Sequence, residues 1–219
     1  MAFNESTHLN YNEKMRSFLN SHMRERRNIS PDLSEKYTRD FSNAVELSFT
    51  VFGENAFRRY SEGNDNNPRG KWERSINKAV FDVVMFWFAR YEKRQIIENK
   101  DEIRERYIKM CVADRDFNDA IMLGTAEAAR VRTRFKKWGD ALEEIIKVRP
   151  KERRVYSYVE KRQLYELEPT CGICKQQIEH IDDSEVDHIQ PFSHGGETAM
   201  SNARLSHRYC NRSRGTASA

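Results

Sequence analysis

Cys171-Gly172-Ile173-Cys174, then Val186-Asp187-His188-Ile189, Pro191, Gly195-Gly196, Asn202, Leu205 and finally His207-Arg208-Tyr209-Cys210-Asn211 form the stretch that decides how this chain is read. Cys171 and Cys174 make a C-x-x-C knuckle, and His207 and Cys210 make a second pair at the same spacing. Each short knuckle offers two ligands from one tight turn, so two of them supply the four ligands of a tetrahedral zinc site. A soft set of three thiolates and one imidazole selects zinc over magnesium or calcium. A redox C-x-x-C is the alternative, but it belongs in a βαβ context that this sequence does not provide. A module of roughly 50 residues has little core of its own, so bound zinc supplies much of its folding energy.

Between the knuckles, Asp187-His188 sets an oxygen ligand beside an imidazole. Metal-assisted phosphodiester cleavage needs a hard cation to neutralise developing charge and a base to activate water. Mg²⁺ takes one or two protein oxygens and fills its other positions with water and substrate phosphate. Asp187 can be such an oxygen donor, and histidine titrates near neutrality, as a general base should. Alone, an Asp-His pair is more often an ordinary polar contact, and its place between the knuckles is what gives it weight. Charge is distributed to match. Glu179, Asp182, Asp183, Glu185 and Asp187 make an acidic run suited to a cation, while Arg204, Arg208, Arg212 and Arg214 make a basic run with no acid among them. The arginines are placed to grip phosphates on either side of a cut. Nothing in the run suggests base readout. His194 and His180 read as surface histidines, and His207 as the fourth zinc ligand rather than a catalytic histidine.

The order C-x-x-C, Val-Asp-His-Ile-x-Pro, Gly-Gly, Asn, Leu, His-x-x-Cys-Asn, Arg-Gly resembles the zinc-bound branch of the HNH endonucleases. That resemblance implies a ββα-metal unit of two short strands and a helix. It implies His188 as general base, Asp187 and Asn211 as ligands of a catalytic Mg²⁺ or Mn²⁺, and Asn202 as the residue that holds the metal loop and His188 in place. DNA is the implied substrate, with 5′-phosphate and 3′-hydroxyl products. One departure stands out, since His207 occupies a zinc position where the family usually has cysteine.

The rest of the chain reads as helix. Of 219 residues, 38% are hydrophobic and 33% charged, which suits a helical protein with a modest core. The 38 basic and 34 acidic side chains nearly cancel, so net charge says little about partners. The longest apolar stretch, Ala79–Ala89, is too short to cross a membrane and is interrupted by Asp82. The N-terminus has no signal-peptide pattern, which makes the cytoplasm the default location. Cys111, in an amphipathic stretch, reads as a small buried hydrophobe.

We expect disorder over the first ten residues, then a turn at Pro31 to Ser34 with Ser34 as an N-cap. A helix follows to about Tyr60, a loop over Gly63–Gly70, and an all-round apolar helix over ~72–91 at the centre of a bundle. Further helices are expected over ~99–112, ~114–122 and ~126–148. The aromatics Phe41, Phe49, Phe52, Phe57, Trp72, Phe81, Phe86, Trp87 and Phe88 read as core rather than as a base-stacking surface. The basic run Arg130, Arg132, Arg134, Lys136, Lys137 reads at least as well as a solvated face as a phosphate track. A boundary near 150 gives a mainly α chain, with a helical bundle over 1–150 and the zinc-stabilised ββα-metal module over 151–219, which opens with a connecting helix.

The helical region carries a second resemblance. Val51 to Tyr60, Asn77 to Asp82, Phe117 to Ile121 and Arg132 to Phe135 are similar to the helices that follow the ParB-like domain in GmrSD-like restriction and anti-phage proteins. The Asp-Gly-Gln-Gln-Arg type motif of that ParB-like domain is missing from this chain. The resemblance therefore implies the C-terminal half of such a protein, a ParB-like domain or subunit as partner, and defence against foreign DNA. The rival reading is a non-catalytic zinc-stabilised module that binds DNA or protein. Such a module needs the cysteines but has no use for Asp187, His188, Asn202 and Asn211 together.

Overall fold

The computed structural model describes residues 8–12, 14–147, 155–192 and 196–214. Of the first ten residues, expected to be disordered, 1–7 lie outside them, as do the boundary near 150 and His194 and Gly195, while residues 8–10 form a turn, with His8 packed against Phe86 and Phe135. The chain divides into two compact units, one of Met1–Arg59 with Glu73–Lys147, the other of Tyr60–Trp72 with Val148–Ala219. Among the described residues, no helix is long and apolar enough to cross a membrane.

The first unit is helical: α1 (Met15–Glu25), α2 (Pro31–Phe52), α3 (Lys78–Phe88), α4 (Lys93–Glu98), α5 (Lys100–Ala113), α6 (Arg115–Met122) and α7 (Ala128–Lys147). Helix α2 begins earlier than expected. Ser30, not Ser34, is its cap, accepting from the Leu33 N–H, and Pro31 takes the first helical position, where its missing N–H costs nothing. Helix α3 starts late, at an Asn77 cap whose Oδ1 accepts from the Ala79 and Val80 amides. The residues before it, which the apolar pattern assigned to the same helix, leave for a β-hairpin instead. After α3 the chain makes a separate short helix, α4, marked by a Glu92–Gln95 capping box.

The core of this unit is aromatic. Tyr107 meets Phe52, Phe117 and Trp138 edge-on, and Trp138, Phe135, Phe117, Ile103 and Val131 are wholly buried. Helix α3 buries Val80, Val83, Val84, Met85, Phe86 and Phe88, as its all-round hydrophobicity requires. Cys111 is buried. Phe41 and Phe49, which the sequence placed in the core, lie exposed on the outer side of α2. Arg134 does not belong to a solvated face either: it is buried, 3.7 Å from Asp82, with Nη1 donating to the Thr125 carbonyl. Burial pushes the Asp82 carboxyl up to about 6 even though Arg134 opposes the shift.

The second unit holds two small antiparallel sheets. Strands β1 (Tyr60–Ser61) and β2 (Lys71–Trp72) pair as a hairpin across the loop read from sequence. This hairpin also accounts for Trp72, which packs edge-on against Tyr60 rather than in the helical core. Its ends, Arg59 and Glu73, are joined by a 2.6 Å ion pair and a backbone hydrogen bond within the helical unit. Helix α8 (Tyr158–Leu167), opened by a Ser157–Glu160 capping box, precedes the first knuckle. Strands β3 (Ser184–His188) and β4 (Ala203–His207) pair in the register Ser184↔His207 to His188↔Ala203, and α9 (Arg208–Arg214) follows directly. Period-two alternation turns Val186 and its partner Leu205 to one face and Glu185 and Asp187 to the other. Among the described residues, the apolar face joins a buried cluster of Cys171, Ile178, Leu205 and Cys210, with Leu164, Tyr165, Ile173 and Val186 packed around it.

Candidate metal centre and nuclease site

The first knuckle is a tight turn. The Cys171 amide donates to the Gln176 carbonyl, the Lys175 amide donates back to Cys171, and Lys175 takes a left-handed φ of 63°. Strand β4 carries His207 alongside, with its amide 3.4 Å from the Cys171 sulfur, and the first turn of α9 adds Cys210. The ligand atoms of Cys171, Cys174, His207 and Cys210 all lie within 4.8 Å of one another. His207 Nδ1 is 3.4 Å from the Cys174 sulfur and 3.9 Å from that of Cys210. Nδ1 is therefore the nitrogen that faces the thiols.

The electrostatics of this cluster suit a cation. Burial pushes the Cys171 thiol up, but the amides of Cys174, His207 and Ile173 outweigh it and hold the group below its ordinary value. Cys210 goes the other way, raised strongly by burial and by the neighbouring Cys171 and Cys174. Three thiols this close cannot ionise together without a positive charge among them. Burial keeps His207 neutral against the pull of Asp183 and the Gln177 carbonyl, which is the form a ligand needs. Soft donors, close convergence and mutual repulsion on ionisation all fit zinc.

On the other face of β3, Asp187 is nearly buried and lies between two arginines. Its Oδ2 is 2.8 Å from Arg204 Nη2, across the sheet, and 2.9 Å from Arg214 Nη2, on α9. Glu185, two residues earlier, accepts from Asn211 Nδ2 at 2.9 Å and pairs with Arg208 and Arg212. Helix α9 thus bonds Asn211 to Glu185, on the face of β3 that also carries Asp187; the sequence proposed Asp187 and Asn211 as metal ligands. Both are hard oxygen donors of the kind magnesium and manganese take. The four arginines separate. Arg204 and Arg214 meet Asp187, and Arg212 reaches Glu62 and Glu185. Arg208 is fully buried, donating to the Asp182 carbonyl at 2.5 Å.

His188 ends β3. Its Nε2 lies 3.0 Å from Thr198 Oγ1, and its ring is flanked by Tyr156 at 4.7 Å and Phe192 at 6.0 Å. Tyr156 in turn donates to the Ala199 carbonyl. Asn202 closes the loop that follows: its Oδ1 accepts from the Gln190 amide at 2.8 Å, and its Nδ2 donates to the Gln190 and Glu197 carbonyls. Any side chain at Gly196 would strike the Gln190 carbonyl, so this turn needs a glycine.

Residues 171–217 match the HNH endonuclease family. Neither the curated proteins nor the solved structures gave a match to the chain. Residues 171–217 thus carry an HNH endonuclease domain, with the Cys/His cluster inside it.

The hairpin sits against the acidic run of this HNH unit. Tyr60 donates its hydroxyl to Asp183 at 2.9 Å, and Trp72 Nε1 donates to Asp182 at 3.0 Å. Arg69 pairs with Glu179 at 2.6 Å, and the Tyr209 hydroxyl meets Asp65. The acidic run is therefore used differently from what its charge suggested. Among the described residues, Glu179, Asp182, Asp183 and Glu185 all have protein partners, and Asp182 and Asp183 are buried. Period two could have placed Glu185 beside Asp187 from sequence. Nothing in the sequence pointed to Tyr60, Tyr156 or Thr198.

Proposed function

We propose that this chain is a divalent-metal-dependent endonuclease or nickase that hydrolyses DNA phosphodiester bonds, with a structural zinc holding its HNH domain together. The reading is supported by the family match over residues 171–217, within which Asp187 and His188 are consecutive at the end of β3 and Asn211 stands on α9, bonded to Glu185 of the same strand. His188 accepts a proton from the attacking water. In the tautomer whose Nε2–H donates to Thr198, the Nδ1 lone pair is the acceptor. Asn202 fixes the loop that carries Thr198, and the Tyr156 and Phe192 rings limit how far the imidazole turns. Asp187 and Asn211 would hold Mg²⁺ or Mn²⁺, which when bound neutralises charge on the leaving 3′ oxygen. Arg204, Arg212 and Arg214 supply the positive charge that meets backbone phosphates, while Arg208 holds the unit from inside.

The helical unit, on this reading, is a separate domain that positions the nuclease. A role in restriction or anti-phage defence, and a ParB-like partner, rest on the resemblance of the helices alone. Plasmid cleavage with Mg²⁺ or Mn²⁺, wild type against His188→Ala at matched zinc content, tests the proposal. Metal-dependent nicking or linearisation that vanishes in the variant supports it. Cleavage that survives in the variant refutes the assignment of the base, and a zinc-loaded wild type that cuts nothing points to a binding module.

A further inference from the structure

The nitrogen of His207 that faces away from the thiols is Nε2. It is buried and makes no hydrogen bond of good geometry. Facing it is the Asp183 carboxylate, with Oδ2 at 3.9 Å. Asp183 is only 3% exposed, and its two oxygens are divided between two tasks. Oδ2 looks at the histidine, while Oδ1 accepts the Tyr60 hydroxyl at 2.9 Å and faces Gly70. A side chain on Gly70 would collide with the Tyr60 hydroxyl and come within 2.7 Å of Asp183 Oδ1, so the hairpin backbone approaches as closely as it can.

We infer that Tyr60 and Asp183 form a positioning relay that fixes the ring of His207 for zinc, so that docking of the inserted hairpin and zinc affinity are coupled. The inference rests on reading the four-residue cluster as a zinc site. Metal binding at Nδ1 leaves the proton on Nε2 and makes that N–H more positive, which strengthens its attraction to the carboxylate behind it. A carboxylate in that place fixes the tautomer and ring orientation of a ligating histidine and raises its basicity. Tyr60 keeps the carboxylate from swinging away, because burial and the nearby Asp183 charge hold the phenol protonated as a donor. The zinc module is thus completed by a segment far upstream in the chain. Trp72, on the same hairpin, bonds Asp182 rather than Asp183 and serves as the built-in control.

The test is zinc affinity of the full chain by competition with a chromophoric chelator, together with the visible spectrum of the Co²⁺-loaded protein and thermal melting. Asp183→Asn should weaken zinc by about 10–100-fold. Tyr60→Phe, which removes one hydroxyl and keeps the carboxylate, should weaken it by about fivefold, the worth of one hydrogen bond. Trp72→Phe should lower the melting temperature yet leave zinc affinity within about twofold, since it breaks a bond outside the relay. The Co²⁺ spectrum should shift in Asp183→Asn and stay unchanged in Trp72→Phe. If all three variants lose zinc in proportion to their loss of stability, the hairpin is only a strut and the relay is wrong. Wild-type affinity in Asp183→Asn, or in Tyr60→Phe should the first variant not fold, overturns it as well. A wild type that holds no stoichiometric zinc overturns the zinc reading itself, and the relay with it.

Discussion

In the helical unit the wholly buried side chains include Trp138, Phe135, Phe117, Ile103 and Leu47, drawn from four helices, α2, α5, α6 and α7. In the HNH unit the buried apolar cluster among the described residues is Cys171, Ile178, Leu205 and Cys210, and two of those are metal-ligand candidates. The first unit is held by area removed from water. The second replaces that area with Arg208 buried on Asp182 and Glu185, with the hairpin bonded to Asp182 and Asp183, and with a thiol cluster that needs a cation. A small core can be compensated by directional bonds, but such bonds fail together when one anchor is removed. This difference makes the two units respond to different perturbations.

Removing metal is the strongest way to separate them. Stripping zinc with a chelator under reducing conditions should unfold the HNH unit, because binding free energy of about 10–16 kcal/mol in small zinc modules is folding free energy. Hydrogen exchange should show protection lost over 171–214 while α3, α5 and α7 keep theirs. Retained protection in the zinc-free unit would break the comparison. Phe135→Ala is the converse. Phe135 is wholly buried, stacking on His8 and meeting Phe86, and its truncation should cost about 3–5 kcal/mol in the melting of the helical unit. Zinc stoichiometry should not change.

Asn202→Ala is a smaller, local test. It removes the three hydrogen bonds that close the loop after His188, at about 1–2 kcal/mol, and should reduce DNA cleavage far more than it reduces zinc binding. An Asn202→Ala protein with wild-type cleavage would show that the loop positions nothing.

The smallest effect concerns pH in the helical unit. Asp82 sits at about 6 in the folded chain against an ordinary 3.8, so the native carboxyl holds its proton more tightly than the unfolded one. Its contribution therefore favours folding increasingly as pH falls from about 6 towards 4, and above 6 the buried charge opposes folding with only partial relief from Arg134. Asp82→Asn should flatten that slope in urea melts followed by Trp fluorescence. At pH 7.5 its stability should lie within about 1 kcal/mol of wild type, because the gain from removing a buried carboxylate is offset by leaving Arg134 without its partner. A slope unchanged by the substitution would remove Asp82 from the account.

Two knuckles at equal spacing were enough to read a soft-ligand metal site from the sequence, because ligand chemistry and turn length are local properties, while the ββα unit was what the resemblance to the HNH endonucleases implied. The helices were largely legible from their apolar period, but the Asn77 cap that starts α3 and the Glu92–Gln95 box that opens α4 were not read from the sequence. Where local signals competed, tertiary structure decided. Trp72 continued an apolar pattern into α3, yet pairing with Tyr60 drew it into the hairpin, since a cross-strand partner and a buried indole N–H bonded to Asp182 outweigh a helical turn. The acidic run from Glu179 to Asp187 looked like a single cation site. Only the fold assigned Asp182 and Asp183 to the hairpin, Glu185 to Asn211 and the arginines, and Asp187 to Arg204 and Arg214. A carboxylate's charge is fixed by sequence, but its partner depends on which segments are brought within a few ångströms of it, and here one of them lies more than a hundred residues away.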